Sequence, residues 1–331
     1  MLCSRVKDST ISGLTLTAQY CLIFLLTEDG YIIMKINTVN KVKILNLEID
    51  NFSMLELLEN LQSGVVFTPN VDHLIRLQKD PDFYSAYSNS TYRLCDSQIV
   101  LYASKFLGTP LKEKVSGSDL LPNFYNHHKY NEQMKIFLLG AAEGVAFQAK
   151  NKINLKVGRE IIVGAYSPPF GFEKDFQECS KIVEMVNASG ATVLAIGVGA
   201  PKQEKWICQH KHHLVNIKIF MAVGATIDFE AGNVQRSPRW MSQIGMEWLF
   251  RLICEPKRLW KRYLVDDLPF FILILKQKLN LYSAPEPATS TQSQSNADEP
   301  IQPVPATSSK LATESKLYQY VTSTTQKINL P

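Results

Sequence analysis

The segment Gly197-Val-Gly-Ala-Pro-Lys-Gln-Glu-Lys-Trp206 has the make-up of an anion-binding turn. It follows the apolar run Thr192–Ile196 and precedes a helical pattern over Gln203–His213. Glycines at positions such as Gly199 let backbone approach a ligand, Pro201 suits a first helical turn, and Lys202 adds a cation there. A strand, a glycine turn and a basic helix N-terminus together favour a phosphate. The first two glycines match the start of a Gly-x-Gly-x-x-Gly fingerprint. Lys202, however, stands where that fingerprint needs a small residue for close helix packing. Gly140 and Gly144 have different spacing, and the chain has no Gly-x4-Gly-Lys-Ser/Thr. Nicotinamide, flavin and P-loop chemistry are thereby disfavoured.

Asp96 is a lone carboxylate directly after an apolar run. It reads as a general base at a ligand-binding edge, or as a cap for the helix that follows. Asp80-Pro-Asp82 has the Asp-x-Asp spacing of metal-dependent sugar transferases, but Pro81 at a first helical position makes Asp80 an N-cap. His210-Lys-His-His213 ends a helical pattern, where cations complement the helix dipole, and no acidic or cysteine ligand stands at metal-binding spacing. The six cysteines are scattered without a Cys-x-x-Cys pair, which suits buried, reduced thiols. No metal site and no cofactor is expected.

The elements that must position these residues alternate. Candidate strands are Gly64–Thr68, Tyr92–Cys95, Lys135–Leu139, Glu160–Ala165, Val193–Gly197 and Ile217–Val223. Candidate helices include Pro81–Asn89, Glu143–Asn154, Glu173–Ser189, Gln203–His213 and Arg239–Cys254. Short apolar strands separated by helices imply an α/β fold, a parallel sheet with helices on both faces. Ligands of such sheets sit beyond the carboxyl ends of the strands. The residues there are Thr68-Pro-Asn70, Asp96-Ser97, Gly140-Ala-Ala142, Ser167-Pro-Pro169, Gly199-Ala-Pro201 and Gly224-Ala-Thr226, a small, polar, glycine-rich edge.

The 331 residues are 45% hydrophobic and 20% charged, as in a globular protein, and a net charge of +4 is too small to argue for nucleic acid. Residues 1–33 read as a leader of doubtful status: Leu14–Leu26 resembles a short signal sequence, but no small-residue cleavage site follows. Residues 34–245 form the α/β core. Residues 246–282 form a basic and aromatic block, in which Arg251, Lys257, Arg258, Lys261 and Arg262 interleave with Trp248, Phe250, Trp260 and Tyr263. The run Leu268–Leu275 follows, too short to cross a bilayer but suited to its surface. Residues 283–331 are rich in Pro, Ser, Thr and Gln and read as a disordered tail.

Several blocks in order resemble the WecG/TagA/CpsF family of bacterial glycosyltransferases from about Ile44 to Lys278. These are Thr68-Pro-Asn-Val-Asp-His-Leu74, Cys95-Asp-Ser97, Val115-Ser-Gly-Ser-Asp-Leu120 and Phe137-Leu-Leu-Gly140. They continue with Gly197–Lys205, Gly224-Ala-Thr-Ile-Asp-Phe229 and Arg236-Ser-Pro238. Glu247-Trp248, Arg251-Leu252, Glu255-Pro-Lys-Arg258 and Lys261-Arg-Tyr263 complete the set. The resemblance implies a Rossmann-like core with a C-terminal helical appendage that meets the membrane. It also implies inverting, metal-independent transfer of an N-acetylmannosamine-type sugar from a UDP-sugar to a polyprenyl-diphosphate-linked sugar. The implied location is peripheral, on the inner face of the bacterial plasma membrane, with homo-oligomerisation left open.

On the same resemblance, Asp96 is the base, Thr68 and Asn70 orient sugar or acceptor, and Gln203 is a pocket residue. Gly199, Pro201 and Lys202 cradle the diphosphate, while Arg236, Arg251, Arg258 and Arg262 offset the charge of leaving UDP. Gly117, Asp119, Gly140, Gly224 and Asp228 fall within the family blocks and count as substrate-binding. Two positions depart from the family pattern. Asp96-Ser97 stands where Asp-Gly is usual, and Glu113-Lys-Val115 replaces Glu-Arg-Val, so that Lys114 keeps the charge but loses the bidentate fork. A non-catalytic, membrane-associated nucleotide-sugar sensor or scaffold is the alternative reading.

Overall fold

The computed structural model describes residues 22–27, 30–35 and 40–285, all within the compact unit Met1–Pro287. Most of the 1–33 leader and of the 283–331 tail lies outside the described residues. Strands β1 (Leu22–Thr27) and β2 (Gly30–Lys35) form an antiparallel hairpin. A second hairpin joins β3 (Lys41–Ile44) to β4 (Leu47–Asp50). In β3 the lysines are exposed while Val42 and Ile44 are buried, the period-2 pattern of a strand with one wet face.

The main body then alternates. Helix α1 (Met54–Asn60) precedes β5 (Gly64–Phe67), α2 (Val71–Arg76) and α3 (Pro81–Ser88). Next come β6 (Tyr92–Arg93), α4 (Gln98–Leu107) and α5 (Gly117–His127). β7 (Ile136–Gly140), α6 (Val145–Val157), β8 (Ile162–Tyr166) and α7 (Phe176–Ala188) follow. β9 (Val193–Gly197), α8 (Lys202–His210), β10 (Ile219–Ala222) and α9 (Thr226–Ala231) complete the alternation. The last helices are α10 (Arg239–Gln243), α11 (Glu247–Cys254), α12 (Pro256–Lys261), a π-helical turn Arg262–Asp266, and α13 (Pro269–Lys278).

Strands β6-β5-β10-β9-β7-β8 form one sheet, parallel throughout. Alternate residues of each strand enter opposite cores. Leu194 and Ile196 of β9 pack on one face with Phe83, Trp206 and Phe270. Val193 and Ala195 pack on the other with Phe124, Ile153 and Ile227. Helices cover both faces, as the apolar runs required. All six predicted strands are present, within a few residues of their predicted ends.

Two expectations change. The single helix expected over Arg239–Cys254 is two, α10 and α11, broken where Gly245 adopts φ 83°. A Cβ at Gly245 would approach Gln98 Cγ to 3.0 Å, so the break also lets the chain lie against α4. The thiols are not uniformly buried: Cys95 and Cys179 are, Cys208 is partly so, and Cys254 is exposed. The last helix, α13, joins the β3–β4 hairpin. Phe270 and Ile274 are buried, and Gln277 accepts a hydrogen bond from Leu45 N (2.8 Å) while donating to Lys43 O (3.0 Å). Leu45, at φ 55° in the hairpin turn, thus has its amide satisfied from 232 residues away.

Candidate active site

A cleft of about 2250 Å³ runs along the carboxyl ends of the sheet strands, and residues of α9 and α11 to the π-helical turn also line it. Its floor is largely backbone. A Cβ on Gly140 would lie 2.4 Å from Gly197 O, and one on Gly197 would lie 2.4 Å from Gly224 O. Three neighbouring strand ends thus touch without side chains between them. Gly140 itself is a packing residue and does not line the cleft, and neither do Gly117 and Pro201. Gly117 opens α5 against Val223 and Thr68, where a Cβ would come within 3.2 Å of Val223 Cα. Gly199 (φ 82°) and Gly224 (φ 55°) line the cleft in left-handed conformations with open space where a Cβ would point.

Asp96 follows β6, and its amide donates to Pro69 O (3.1 Å). The helix cap is supplied by its neighbour. Ser97 Oγ accepts from Ile99 N (3.2 Å) and Val100 N (3.4 Å), so the serine that departs from the family pattern does the capping and the Asp96 carboxylate is left for the cleft. Thr68, buried at the end of β5, donates from Oγ1 to Asp96 Oδ2 (3.4 Å). Burial pushes the Asp96 carboxyl up to about 8, with the negative charges of Glu247 and Asp119 adding to it and Arg251 and Lys114 opposing it. Such a carboxylate is basic enough near neutral pH to accept a proton from a sugar hydroxyl.

Asn70 lines the cleft and spends its side-chain oxygen on capping α2, accepting from His73 N (3.1 Å). Gln203, almost fully buried, clamps the glycine turns. Its Nε2 donates to Glu204 Oε1 (2.8 Å) and its Oε1 accepts from Gly224 N (3.2 Å). Glu204 has no exposed surface, and burial raises its carboxyl to about 7. Asp228, on the first turn of α9, lines the cleft with its pKa raised by burial.

The cations reach the cleft already paired. Arg236 binds Asp119, and Ser116 Oγ donates to that same carboxylate (2.7 Å). Burial would raise the Asp119 pKa, but these two bonds hold it below the usual range. Arg251 binds Glu247, and Arg262 lies 3.3 Å from Asp72. Lys202 lies 3.5 Å from Glu173. Each guanidinium has five donors, so a single carboxylate contact leaves others for an anionic ligand. The Arg258 side chain lies outside the described residues. Asp80 caps α3 (Phe83 N, 3.0 Å), as its Pro81 neighbour implied, and it also pairs with Lys205 (2.9 Å).

The model of the glycosyl transferase family WecG/TagA/CpsF matches residues 42–284. The chain belongs to that family. It is similar to an N-acetylglucosaminyldiphosphoundecaprenol N-acetyl-β-D-mannosaminyltransferase of Bacillus subtilis (strain 168), 27% identical over 260 residues, covering 76% of this chain and 97% of the relative. Relatives with the same name in Bacillus spizizenii and Staphylococcus aureus (strain MRSA252) are each 26% identical. They cover 70% and 74% of this chain and 88% and 96% of their own length.

Within this WecG/TagA/CpsF chain the cleft gathers Thr68, Asn70, Asp96, Asp119, Gly199, Lys202, Gln203, Gly224, Asp228, Arg236, Arg251 and Arg262. Sequence reasoning missed three contributors. Asp72 sits inside a family block but reads as an ordinary first-turn acid, and Glu247 as an ordinary helix start. Phe170 follows two prolines in what looks like connecting loop. No periodicity marks any of them; each matters through a partner distant in sequence.

Proposed function

We propose that the protein transfers an N-acetylmannosamine-type sugar from a UDP-sugar to a polyprenyl-diphosphate-linked sugar in cell-surface polysaccharide synthesis. The observation that carries this reading is the Asp96 carboxylate, held basic beside Thr68 in the cleft of a WecG/TagA/CpsF chain. The names of the relatives supply the acceptor class, an N-acetylglucosaminyl-diphosphoundecaprenol. In the proposed step Asp96 takes the proton of the acceptor hydroxyl. The freed oxygen forms a bond to the anomeric carbon from the face opposite the phosphate. The anomeric C–O bond breaks, and UDP leaves with the electron pair, so the configuration inverts. Thr68 and Asn70 orient the sugars, the turn around Gly199 and Lys202 donates backbone N–H groups to the diphosphate, and Arg236, Arg251, Arg258 and Arg262 offset its charge. With cations in that role and Asp80 committed to its cap, a divalent metal has no task, and EDTA should leave turnover intact.

Residues 34–245 would form the catalytic core and residues 246–282 the part that meets the membrane. Phe271, Ile272 and Leu275 of α13 are exposed, with Lys276 and Lys278 at its end. Basic side chains flanking an exposed apolar face suit the headgroup region of a cytoplasmic leaflet. No helix among the described residues is long and apolar enough to cross a membrane. The test is a transfer assay with a panel of UDP-sugars and synthetic polyprenyl-diphosphate-GlcNAc. Disaccharide-lipid and free UDP should appear together, and Asp96→Asn should cut turnover roughly 10²–10⁴-fold. UDP binding without turnover on any donor would instead favour the sensor reading.

A further inference from the structure

We infer that helix α4, through Tyr102, Lys105 and Phe106, lies against an anionic bilayer beside α13. The inference rests on the membrane reading of α13 proposed above and extends the contact from residues 246–282 onto the body that carries the sheet.

Helix α4 is sided. Val100, Leu101, Ala103 and Ser104 are buried, whereas Tyr102 and Phe106 are 47% and 51% exposed and Lys105 is exposed between them. Residues 98, 102, 105 and 106 share one side of a helix, so a single stripe runs along α4. Two aromatic rings half in water on adjacent turns are not accounted for by the core. A Cβ at Gly245 would meet Tyr102 Cε2 at 3.7 Å, and Ile244 beside it is also half exposed.

The stripe adjoins the apolar face of α13. Lys278, at the end of α13, holds its Nζ 5.6 Å from the ring centroid of Phe106, near the end of α4. At their starts, Gln98 and Ile99 share a cavity of about 390 Å³ with Leu268 and Phe271. The two helices therefore lie side by side in the same sense, and their exposed sides meet at Phe106.

Charge selects the occupant. Neither helix contains an acidic residue, while Lys105, Lys276 and Lys278 are all exposed. Lys105 Nζ lies 5.9 Å from the Tyr102 ring centroid. Aromatics and lysines around an aliphatic face match the headgroup boundary of an anionic leaflet. A second copy of the chain fits worse, because an isologous contact over this surface would set these lysines against themselves. The placement also serves the proposed reaction. Asp96 lines that same cavity and directly precedes Ser97, the N-cap of α4. Tyr102 and Phe106 then stand about 6 and 12 Å along the axis from Gln98. Helix α4 thus fixes how far the proposed base stands from the headgroups that carry a polyprenyl-linked acceptor.

The experiment is co-sedimentation of the full chain with phosphatidylglycerol–phosphatidylcholine vesicles, for wild type and Tyr102→Ser/Phe106→Ser. Both side chains are half exposed, so circular dichroism should be unchanged. The vesicle Kd should rise about tenfold or more in the double variant. Lys105→Glu should lose more affinity for these vesicles than for phosphatidylcholine alone. Transfer to an acceptor with a short, water-soluble tail should keep its wild-type rate in the double variant, while transfer to a vesicle-borne acceptor falls. Unchanged vesicle affinity in the double variant overturns the α4 contact; a loss in Phe271→Ser/Ile272→Ser/Leu275→Ser would then leave the membrane reading of α13 standing. A wild-type chain that ignores vesicles overturns both. A dimer in sedimentation velocity that Tyr102→Ser/Phe106→Ser disperses gives the surface to a second copy and overturns the lipid assignment.

Discussion

Glu247 of α11 lies 3.5 Å from Lys114, a residue of the loop before α5, and so ties the C-terminal helices to the sheet edge that carries Asp96. Lys114 also donates to Ser242 Oγ (2.8 Å), and the second Glu247 oxygen takes Arg251. These three charges act on Asp96 together: Glu247 raises its pKa, while Arg251 and Lys114 lower it. The proposed base is therefore tuned partly by a carboxylate of α11.

The first consequence is a pH profile. Asp96 titrates at about 8 and accepts a proton only when ionised. The kcat/KM of the wild-type chain should fall as pH drops through about 8, approaching tenfold per unit well below it. A profile flat from pH 6 to 9 would contradict the assignment of Asp96 as base.

Neutralising the tuning carboxylate should move that profile. In Glu247→Gln a negative neighbour is lost, and Arg251 and Lys114 are left to stabilise the Asp96 carboxylate. The acid limb should shift to lower pH while kcat/KM on its plateau falls, because a weaker base stands in a looser site. A shift to higher pH would mean that Glu247 acts on Asp96 mainly by holding the two cations.

Asp96 should also cost the fold stability. Its folded-state pKa is raised from 3.8 to about 8, so folding holds a proton that the unfolded chain releases across that window. The cost is absent below about pH 4, grows as pH rises, and is complete above about pH 8. Asp96→Asn removes it, and thermal melts should show the variant more stable than wild type at pH 9, with little difference at pH 4. Equal melting temperatures at both pH values would speak against a raised Asp96 carboxyl.

The glycine floor gives a contrast of two substitutions. Gly140→Ala forces a Cβ to 2.4 Å from Gly197 O at φ 135°, with strain and overpacking of roughly 1–3 kcal/mol each. Gly199→Ala meets open space and bears only the left-handed backbone, about 1–2 kcal/mol. Chemical denaturation should rank Gly140→Ala well below Gly199→Ala, and the reverse order would show that Gly199 has neighbours of its own.

The apolar face of α13 can be tested without touching the core. Phe271, Ile272 and Leu275 are exposed, whereas Phe270 and Ile274 are buried. Changing the first three to Ser should lower co-sedimentation with anionic vesicles by tenfold or more, since burying each side chain is worth roughly 1.5–3 kcal/mol. Circular dichroism should be unchanged. Full retention on vesicles would move the contact surface elsewhere.

How much of this was readable in the sequence divides along a physical line. The six sheet strands were legible because strands buried on both faces need uninterrupted apolar runs. The polar edge was legible because such sheets expose their carboxyl ends. The hairpin over Lys41–Asp50 went unread: its alternation spans only four residues per strand, and its turn is completed by Gln277 rather than by a glycine. The break at Gly245 was hidden because the apolar spacing continues on both sides of it. In the site, Asp96 and Thr68 could be placed by motif, but the pairing of Arg262 with Asp72 and of Glu247 with Lys114 arises only from folding. The expected cap shows the same limit. Asp96 and Ser97 both have capping side chains, and only the backbone decides that the serine takes the role.

The bond between Gln277 and the Leu45 turn also orders events during vectorial synthesis. Leu45 is synthesised 232 residues before Gln277, so the β3–β4 hairpin leaves this turn amide to water until α13 is made. The helix that completes it carries an apolar outer face and two buried inner residues. Phe271, Ile272 and Leu275 are therefore made only with the helix that completes this turn, which shortens the time they spend exposed on an unfinished protein.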